Sequence, residues 1–350
     1  MLKKLYRNNG KVRIALMLAL VFVLSVLSAC ASNSNEGSNK SDPTSSPVAG
    51  ATASASAQPS KAPTVDKTIR IGYQKYASIN ILKVKGGLDE KLAAIGYKAV
   101  WTEFPGGPQL LEAVNVGSID FGNVGEAPPI FAQAAGTPLV YLGHSPASPK
   151  AEAILVPEKS TIKTGADLKG KKVALNKGSN VHYLLVKYLE KEGLKYSDIE
   201  VVFLPPADAR AAFEKGSVDA WVIWEPFYSA AQLATKARVL ADGTGLVDNY
   251  EYYLSSRKFY ETGKPALDVL LAQLQESDKW AAANQDQVAE KLAPNLGLDV
   301  PTLKQALSHR GFGVEPITDN IVVAQQKIAD VFFDLKLIPN KISVKEATVK

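Results

Sequence analysis

Short runs of apolar and β-branched residues alternate along the chain with longer segments in which apolar residues recur at helical spacing. The first kind of run predicts a strand, and the second predicts an amphipathic helix. In the first part of the chain, strands are predicted at residues 68–73, 97–104 and 118–124, and helices at 82–95, 107–117 and 127–136. A strand–helix alternation of this kind indicates an α/β fold.

The same order returns in the second part of the chain, together with a sequence repeat. Strands are predicted at residues 171–176, 199–204 and 217–224, and helices at 182–193, 207–216 and 226–234. At a shift of 99 residues, "GSID" at Gly117 aligns with "GSVD" at Gly216, and Glu126 aligns with Glu225. A repeat that keeps the order of the elements predicts two α/β lobes of similar build.

The chain after about Tyr250 has no third copy of this repeat. Helical spacing dominates there, at residues 267–293, 300–311 and 319–338. We expect these helices to pack back on the first lobe.

Two facing lobes would create a place for a ligand. In open α/β sheets, ligands bind beyond the carboxyl ends of the strands, where helix N-termini point. Free N–H groups and the positive end of the helix dipole favour an anion at such a place. Each copy of the repeat ends in Glu and Pro at a predicted strand end. We therefore expect two lobes that present several helix N-termini to one small anion in a cleft.

Residues 1–29 are predicted to be a lipoprotein signal peptide. They contain five basic residues and no acidic one, and they include most of the apolar run "IALMLALVFVLSVLSAC". The end of this run, "LSAC", resembles a lipobox, in which Cys30 would be lipidated and become the mature N-terminus. Cys30 is the single cysteine of the chain. An internal disulfide and a site with several cysteine ligands are therefore excluded.

The segment 30–66 is rich in Ser, Ala, Asn, Gly and Pro, which predicts a disordered tether from the lipidated cysteine. The formal charge of +5 belongs to the leader, because 35 Lys and Arg balance 35 Asp and Glu once its five basic residues are removed from the 40. No basic surplus remains that would favour nucleic acid. We expect a folded body that a lipid anchor holds at the extracytoplasmic face of the cell membrane.

Several ordered motifs resemble one known family. They include "EFPGGPQLLEAVNVGSID", "GEAPPIFAQAAGTPLVY", "PADARAAFEKGSVDAWVIWEPFYSAA" and "SHRGF". These motifs are similar to those of the aliphatic sulfonate-binding proteins, the substrate-binding lipoproteins of ABC importers in the sulfonate, taurine and nitrate group. The resemblance covers about Thr68 to Ile342. The chain departs from the family pattern after "GYQK", where Tyr76, Ala77 and Ser78 replace a frequent Gly-Ser.

The resemblance implies a type II periplasmic-binding-protein fold, in which two α/β lobes are joined by a two-segment hinge around a central cleft. Lobe 1 would comprise residues 67–152 plus 250–345, and lobe 2 residues 153–249. The hinge segments would lie near residues 148–153 and 248–254. The implied function is capture of an aliphatic organosulfonate in the cleft and its delivery to an ABC permease coupled to an ATPase. The implied protein is a monomer that needs no cofactor.

Other functions stay open at this point. Taurine, nitrate or a thiamine precursor could replace the organosulfonate, and an enzyme could use the same fold. An enzyme is disfavoured because the three histidines are far apart and show no metal-ligand spacing. The chain also lacks a nucleophile-elbow motif and a phosphate-binding loop motif. We therefore predict no catalytic residue and no metal ligand.

The candidate ligand-binding residues supply donors or permit a close approach of the backbone. Gln74 and Lys75 follow the first strand, Ser179 and Asn180 are natural N-cap residues, and Arg310 can bind a sulfonate bidentately. The glycine candidates are Gly106, Gly107, Gly125 and Gly178.

Trp224 is expected to form a wall for the organic tail, with Trp221 on the opposite face of its strand. Glu126 and Glu225 would repel a sulfonate while ionised. Three roles stay open for them: orienting loop amides, pairing across the cleft, or binding an ammonium group.

Overall fold

The computed structural model describes residues 67–349. The predicted signal peptide, the lipidated Cys30 and the tether lie outside the described residues. Five strands form the first sheet: β1 (Lys67–Tyr73), β2 (Tyr97–Glu103), β3 (Phe121–Gly125), β4 (Leu139–His144) and β10 (Glu251–Ser256). Their order is β2-β1-β3-β10-β4. All neighbours in it are parallel except that β10 runs antiparallel to β3 and β4.

The second sheet repeats this topology. Its strands are β5 (Glu152–Val156), β6 (Lys172–Leu175), β7 (Glu200–Phe203), β8 (Ala220–Trp224) and β9 (Arg238–Asp242), in the order β7-β6-β8-β5-β9. Here β5 runs antiparallel to β8 and β9. The predicted α/β fold with two lobes of similar build is confirmed. Strands β4, β5, β9 and β10 were not predicted from the sequence.

The chain passes between the sheets twice. Residues 145–151 lead from β4 to β5, and residues 243–250 lead from β9 back to β10. In each sheet the antiparallel strand is therefore the first strand after a crossing. We call the part built on the first sheet, with the C-terminal helices, the first half, and residues 152–242 the second half. The predicted lobe boundaries stay a prediction.

Helices cover both sheets. The first half contains α1 (Ser78–Lys85), α2 (Leu88–Ala93), α3 (Gly107–Asn115) and α4 (Pro128–Ala134), and the second half contains α5 (Asn180–Lys191), α6 (Pro206–Glu214) and α7 (Phe227–Thr235). The C-terminal helices are α8 (Arg257–Ala283), α9 (Gln285–Leu296), α10 (Val300–Ser308) and α11 (Asp319–Asp334). No helix within residues 67–349 is long and apolar enough to span a membrane.

Two predicted helices are wrong in their continuity. The helix predicted at 82–95 is the pair α1 and α2, because Gly86 and Gly87 between them adopt φ values of 80° and 94°, which no helix accommodates. The helical segment predicted at 267–293 is divided at Asn284, where φ is −137° and ψ is 39°.

Each sheet has a hydrophobic core on both faces. Tyr252 and Leu254 of β10 enter one core with Phe332 of α11, whereas Tyr253 enters the opposite core with Leu270 of α8. Alternate residues of a strand point to opposite faces, so β10 contributes to both cores. The helices α8 and α11 thereby pack on the two faces of the first sheet. In the second sheet, Trp221 of β8 is fully buried in one core.

The repeated Gly-Ser-X-Asp sequence joins a helix to a strand. The side chains of Asp120 and Asp219 each accept the main-chain N–H of a neighbouring strand, from Arg70 and Lys172, at 2.8 Å in both cases. Asp120 and Asp219 precede β3 and β8. This half of the repeat thus lies at the amino ends of the strands. The Glu-containing end of each copy lies at the carboxyl end of its strand, as predicted, since Glu126 follows β3 and Glu225 follows β8.

Candidate functional site

A cavity of about 580 Å³, including its open mouth, lies between the two halves. Six predicted site residues line it: Gln74, Gly125, Asn180, Trp224, Glu225 and Arg310. The sequence did not indicate the other residues of its wall, which are Tyr76, Ser145, Ser148, Ala151, Asn249, Tyr250 and Glu251. Five of these lie on the crossings 145–151 and 243–250. The predicted hinge segments were the signal that could have identified them.

Arg310 is a buried cation held in a fixed position at the cavity. One of its terminal nitrogens, Nη2, donates to the hydroxyl of Ser78 at 2.7 Å and lies 3.3 Å from Glu251. Its guanidinium carbon lies 5.5 Å from the ring centre of Tyr76 and 5.2 Å from that of Phe312. Within residues 67–349, no group accepts a hydrogen bond from Nη1. This nitrogen is therefore a donor that a ligand can use.

Gln74 lines the cavity beside this arginine. Its side-chain nitrogen donates to the main-chain oxygen of Asn123 at 3.0 Å, which fixes the amide between β1 and β3. Lys75, the next residue, is exposed and is not part of the cavity wall. Its contact with a ligand stays a prediction.

Glu225 has its carboxylate oxygens occupied by protein donors. It accepts from the main-chain N–H of Ser229 at 3.1 Å and from the hydroxyl of Ser229 at 2.7 Å. It also lies 2.7 Å from Nδ1 of His309, which belongs to the first half. Glu225 therefore orients the first turn of α7 and pairs across the cavity, which are two of the roles left open for it.

Two further buried carboxyl groups lie behind the cavity, outside its wall. Glu126 is 1% exposed, accepts from the main-chain N–H of Tyr250 at 3.3 Å, and burial raises its pKa to about 8. Glu152, which the sequence did not indicate, is fully buried and accepts a hydrogen bond from Asn180. Burial and then the nearby charge of Glu126 raise the pKa of Glu152 well above its usual value. Both carboxyl groups lie where the chain crosses between the halves.

The N-terminus of α5 differs from its prediction in detail. Ser179 occupies the N-cap position, but its hydroxyl donates to the main-chain oxygen of Asn176 at 2.6 Å and makes no capping bond. Asn180 is the first helical residue, and its side chain also contacts Asn249 at 3.1 Å. Neither side chain makes a capping hydrogen bond, although both residues belong to the start of the helix as the sequence indicated. Asn180 instead connects α5 to the crossing segment 243–250.

Proline reduces the number of donors at the other helix N-termini. Among the helices that follow the carboxyl ends of the parallel strands, α3, α4 and α6 have proline at their first or second position, and α7 follows Pro226. Proline has no N–H to donate. Of this group, α1 and α5 begin without proline. Each proline removes one N–H group from a helix start and leaves the others. Binding of an anion by several helix N-termini therefore stays a prediction.

Three predicted glycines contact the opposite half. A Cβ atom placed on Gly106 would lie 2.6 Å from Asn176, and one on Gly125 would lie 2.8 Å from Asn180. On Gly178 it would lie 3.2 Å from Phe131. These glycines therefore let the two halves approach each other closely. A Cβ atom placed on Gly107 would instead lie 2.7 Å from Pro128, which belongs to the same half as Gly107. For Gly106, Gly107, Gly178, Ser179 and Glu126, which lie outside the cavity wall, ligand contact stays a prediction.

Contacts between the halves continue on both sides of the cavity. On one side, Gln305 of α10 donates to Gln232 of α7 at 2.7 Å, and His309 stacks on Tyr228 with ring centres 5.4 Å apart. On the other side, His182 of α5 lies between rings of the first half, 6.1 Å from Phe131. The two halves therefore contact each other on both sides of the cavity.

Within residues 67–349, no group of three or more His, Cys, Asp or Glu side chains is placed to hold a metal ion.

Comparison with known proteins identifies relatives over most of the described chain. The family model described as NMT1/THI5 like matches residues 102–288. An Escherichia coli (strain K12) protein, named as a candidate aliphatic sulfonates-binding protein, is 46% identical over 80% of this chain and 88% of its own length. A Bacillus subtilis (strain 168) protein with the same name is 35% identical over 80% of this chain and 85% of its own length.

A solved structure agrees with this assignment. The alkanesulfonate-binding protein SsuA from Xanthomonas axonopodis pv. citri, bound to MOPS, is 43% identical and superposes with a TM-score of 0.77. The match covers 83% of this chain and 99% of that one. The predicted periplasmic-binding-protein fold is thereby confirmed. Sequence and structure together show that this chain belongs to the NMT1/THI5-like family, in the branch of the aliphatic sulfonates-binding proteins.

Proposed function

We propose that this protein is the extracytoplasmic substrate-binding component of an ABC importer, and that it captures an aliphatic organosulfonate between its two halves. The names of its relatives support this proposal, since they refer to aliphatic sulfonates and alkanesulfonates. The ligand would then pass to a membrane permease powered by an ATPase. We further propose anchoring through a lipid on Cys30 and a monomeric state.

The observation that carries the proposal is the position of Arg310. A sulfonate is a permanent monoanion with three acceptor oxygens and no donor of its own. Arg310 is a cation buried at a cavity between two halves, and its Nη1 is left without a partner among residues 67–349. A charged hydrogen bond to an anion in such a place is strong because little water screens it.

The walls of the cavity suit a short organic tail. Tyr76 of the first half, Trp224 of the second half and Tyr250 of a crossing segment each contribute an aromatic side chain to the wall. Aromatic rings bury apolar ligand surface efficiently. A ligand that touches both halves stabilises their closed arrangement, and we propose that the permease recognises this arrangement.

Calorimetric titration of the detergent-solubilised full chain tests the proposal. Hexanesulfonate, taurine, sulfate and nitrate are compared under identical conditions. We expect a sulfonate to bind at least tenfold more tightly than sulfate or nitrate. Tighter binding of nitrate would support a nitrate-binding protein, and the absence of binding by either sulfonate would refute capture of an organosulfonate.

Binding without chemistry is tested on the same samples. We propose that the protein does not transform its ligand. Nuclear magnetic resonance spectra of the sulfonate recovered after prolonged incubation should match those of the starting compound. Release of sulfite or a new organic product would contradict a purely binding function.

A further inference from the structure

The hydroxyl of Tyr76 is a buried donor at the cavity. Tyr76 lies between β1 and α1, and it lines the cavity beside Arg310. Its oxygen is buried, and no hydrogen-bond partner for it occurs within residues 67–349. Buried polar groups are nearly always paired in native proteins, and an unpaired donor is costly. A ligand that supplies an acceptor would remove this cost.

None of the charged neighbours of the phenol within residues 67–349 accepts its hydrogen. Arg310 lies beside Tyr76, but a guanidinium has donors and no acceptor. Glu225 is already engaged by Ser229 and His309. Glu251 is engaged by Asn123 and Arg310. The hydrogen of the hydroxyl is therefore left for a group that enters the cavity.

The phenol keeps its proton under ordinary conditions. Burial is the main cause that raises the pKa of Tyr76, and it outweighs the lowering effect of the nearby Arg310. The hydroxyl therefore stays a donor across the physiological pH range. Tyr76 and Arg310 both line the cavity, and the guanidinium carbon of Arg310 lies 5.5 Å from the centre of the Tyr76 ring. A head group that can only accept hydrogen bonds complements this pair.

We propose that Tyr76 is a ligand-binding residue whose hydroxyl donates a hydrogen bond to an oxygen of the bound sulfonate, beside the charged contact from Arg310. This inference rests on the proposed function, because it assigns a further residue to the same site.

The variant Tyr76→Phe tests this role, since it removes the hydroxyl and keeps the ring. Calorimetry with the tightest-binding sulfonate should show an affinity lower by roughly 10- to 100-fold, as expected for a hydrogen bond to a charged group. The melting temperature without ligand should stay the same or rise, because an unpaired buried hydroxyl is lost. If Tyr76 had only a structural role, the Tyr76→Phe variant would lose thermal stability together with affinity, or would lose neither.

Tyr73→Phe is the matched control, because Tyr73 ends β1 three residues before Tyr76 and lies outside the cavity wall. Its affinity for the sulfonate should equal that of the unaltered protein. An affinity of Tyr76→Phe within twofold of the unaltered protein would overturn the assignment of Tyr76. If the unaltered protein binds no sulfonate at all, the proposed function itself fails.

A second measurement uses the unaltered sequence. With tyrosine labelled at the ring carbon that bears the oxygen, the resonance missing from the Tyr76→Phe spectrum identifies Tyr76. We expect this resonance to shift when sulfonate is added. A resonance that does not move on saturation with sulfonate would contradict the hydrogen bond.

Discussion

A buried arginine is favourable only where acceptors and rings surround it, and Arg310 meets this condition. Its Nη2 donates to the hydroxyl of Ser78 and to the carboxylate of Glu251. The rings of Tyr76 and Phe312 lie near the guanidinium group. The charges of Glu251 and Asp278 keep its pKa raised despite burial. The guanidinium is thus oriented before a ligand arrives, which reduces the entropy lost on binding.

Replacing Arg310 with lysine keeps the charge and removes the planar fork. A lysine ammonium cannot hold Ser78, Glu251 and a sulfonate in the same geometry. We expect Arg310→Lys to weaken sulfonate binding by about 2 kcal/mol, or roughly 30-fold, in calorimetry. The control is Arg238→Lys, since Arg238 donates to main-chain oxygens of residues 158–162, away from the cavity. Equal affinities of the two variants would argue against a contact from Arg310.

At the scale of elements, the end of β3 and the start of α5 meet across the cleft. Gly125 ends β3, and the side chain of Asn180 at the start of α5 lies against it. The hydrogen bonds of Asn180 to Glu152 and Asn249 fix α5 relative to the start of β5 and to the second crossing segment. Closure therefore needs a residue without a side chain at position 125.

The variant Gly125→Ala should hinder this closure. The added carbon would lie 2.8 Å from Cβ of Asn180, so one half must shift. We expect sulfonate affinity to fall by roughly 5- to 100-fold, as for other overpacked contacts. Small-angle X-ray scattering should show less compaction on ligand addition than in the unaltered protein.

Gly165→Ala is the control for this variant, because the nearest neighbour of Gly165 is the flexible side chain of Glu192 in the same half. It should leave the affinity unchanged. Undiminished affinity and compaction in Gly125→Ala would show that this contact does not limit closure.

The sequence predicts correctly those strands and helices whose residue pattern lies within a short stretch of the chain. Alternating strands and helices, together with the repeat, are sufficient to indicate two α/β halves. The break at Gly86 and Gly87 is also encoded locally, in two adjacent glycines, although helical spacing alone does not reveal it. Strand β5, "EAILV", and strand β10, "EYYLSS", are not predicted because they lie outside the repeat. Each is inserted between two strands that are distant from it in sequence or direction, so its place depends on contacts that no local pattern encodes.

The cavity is predicted less completely than the fold. Residues that follow predicted strands, such as Glu225 after β8 and Asn180 after β6, can be selected because strand ends face ligands. Ser148 and Asn249 line the cavity only because the two crossings pass beside it. Composition gives no reason to choose these polar residues over others. The unpaired hydroxyl of Tyr76 likewise becomes visible only when its neighbours in space are known.

At the scale of the whole molecule, acidic groups are buried where the halves join. Glu126 is nearly fully buried, and Asp248 adds to the effect of burial on its pKa. The carboxyl group titrates near pH 8 in the folded protein, against a reference value of 4.5. The folded state therefore binds more protons than the unfolded state between these two pH values. By linkage, the free energy of unfolding decreases as the pH rises through this range.

Glu126→Gln should flatten this dependence. Below pH 4.5 the carboxyl group is protonated in both states, and above about pH 8 the full cost of burying its charge is present. We expect urea denaturation to show that the unaltered protein loses on the order of 2 kcal/mol more stability than Glu126→Gln between pH 6 and pH 9. Glu112→Gln, which changes an exposed carboxylate, should keep the full pH dependence. Parallel curves for the unaltered protein and Glu126→Gln would contradict the argument.

The position of β10 has a consequence for synthesis of the chain. The second sheet is complete within residues 152–242, a continuous stretch, whereas β3 and β4 cannot be joined until residues 251–256 insert between them. The second half can therefore complete its sheet during synthesis while β3 and β4 of the first half still have unpaired edges. Unpaired strand edges are prone to aggregation. A polypeptide released before residue 251 would never fill the gap between β3 and β4. We therefore expect proteases and chaperones to recognise truncated products mainly by the unpaired strands of the first sheet.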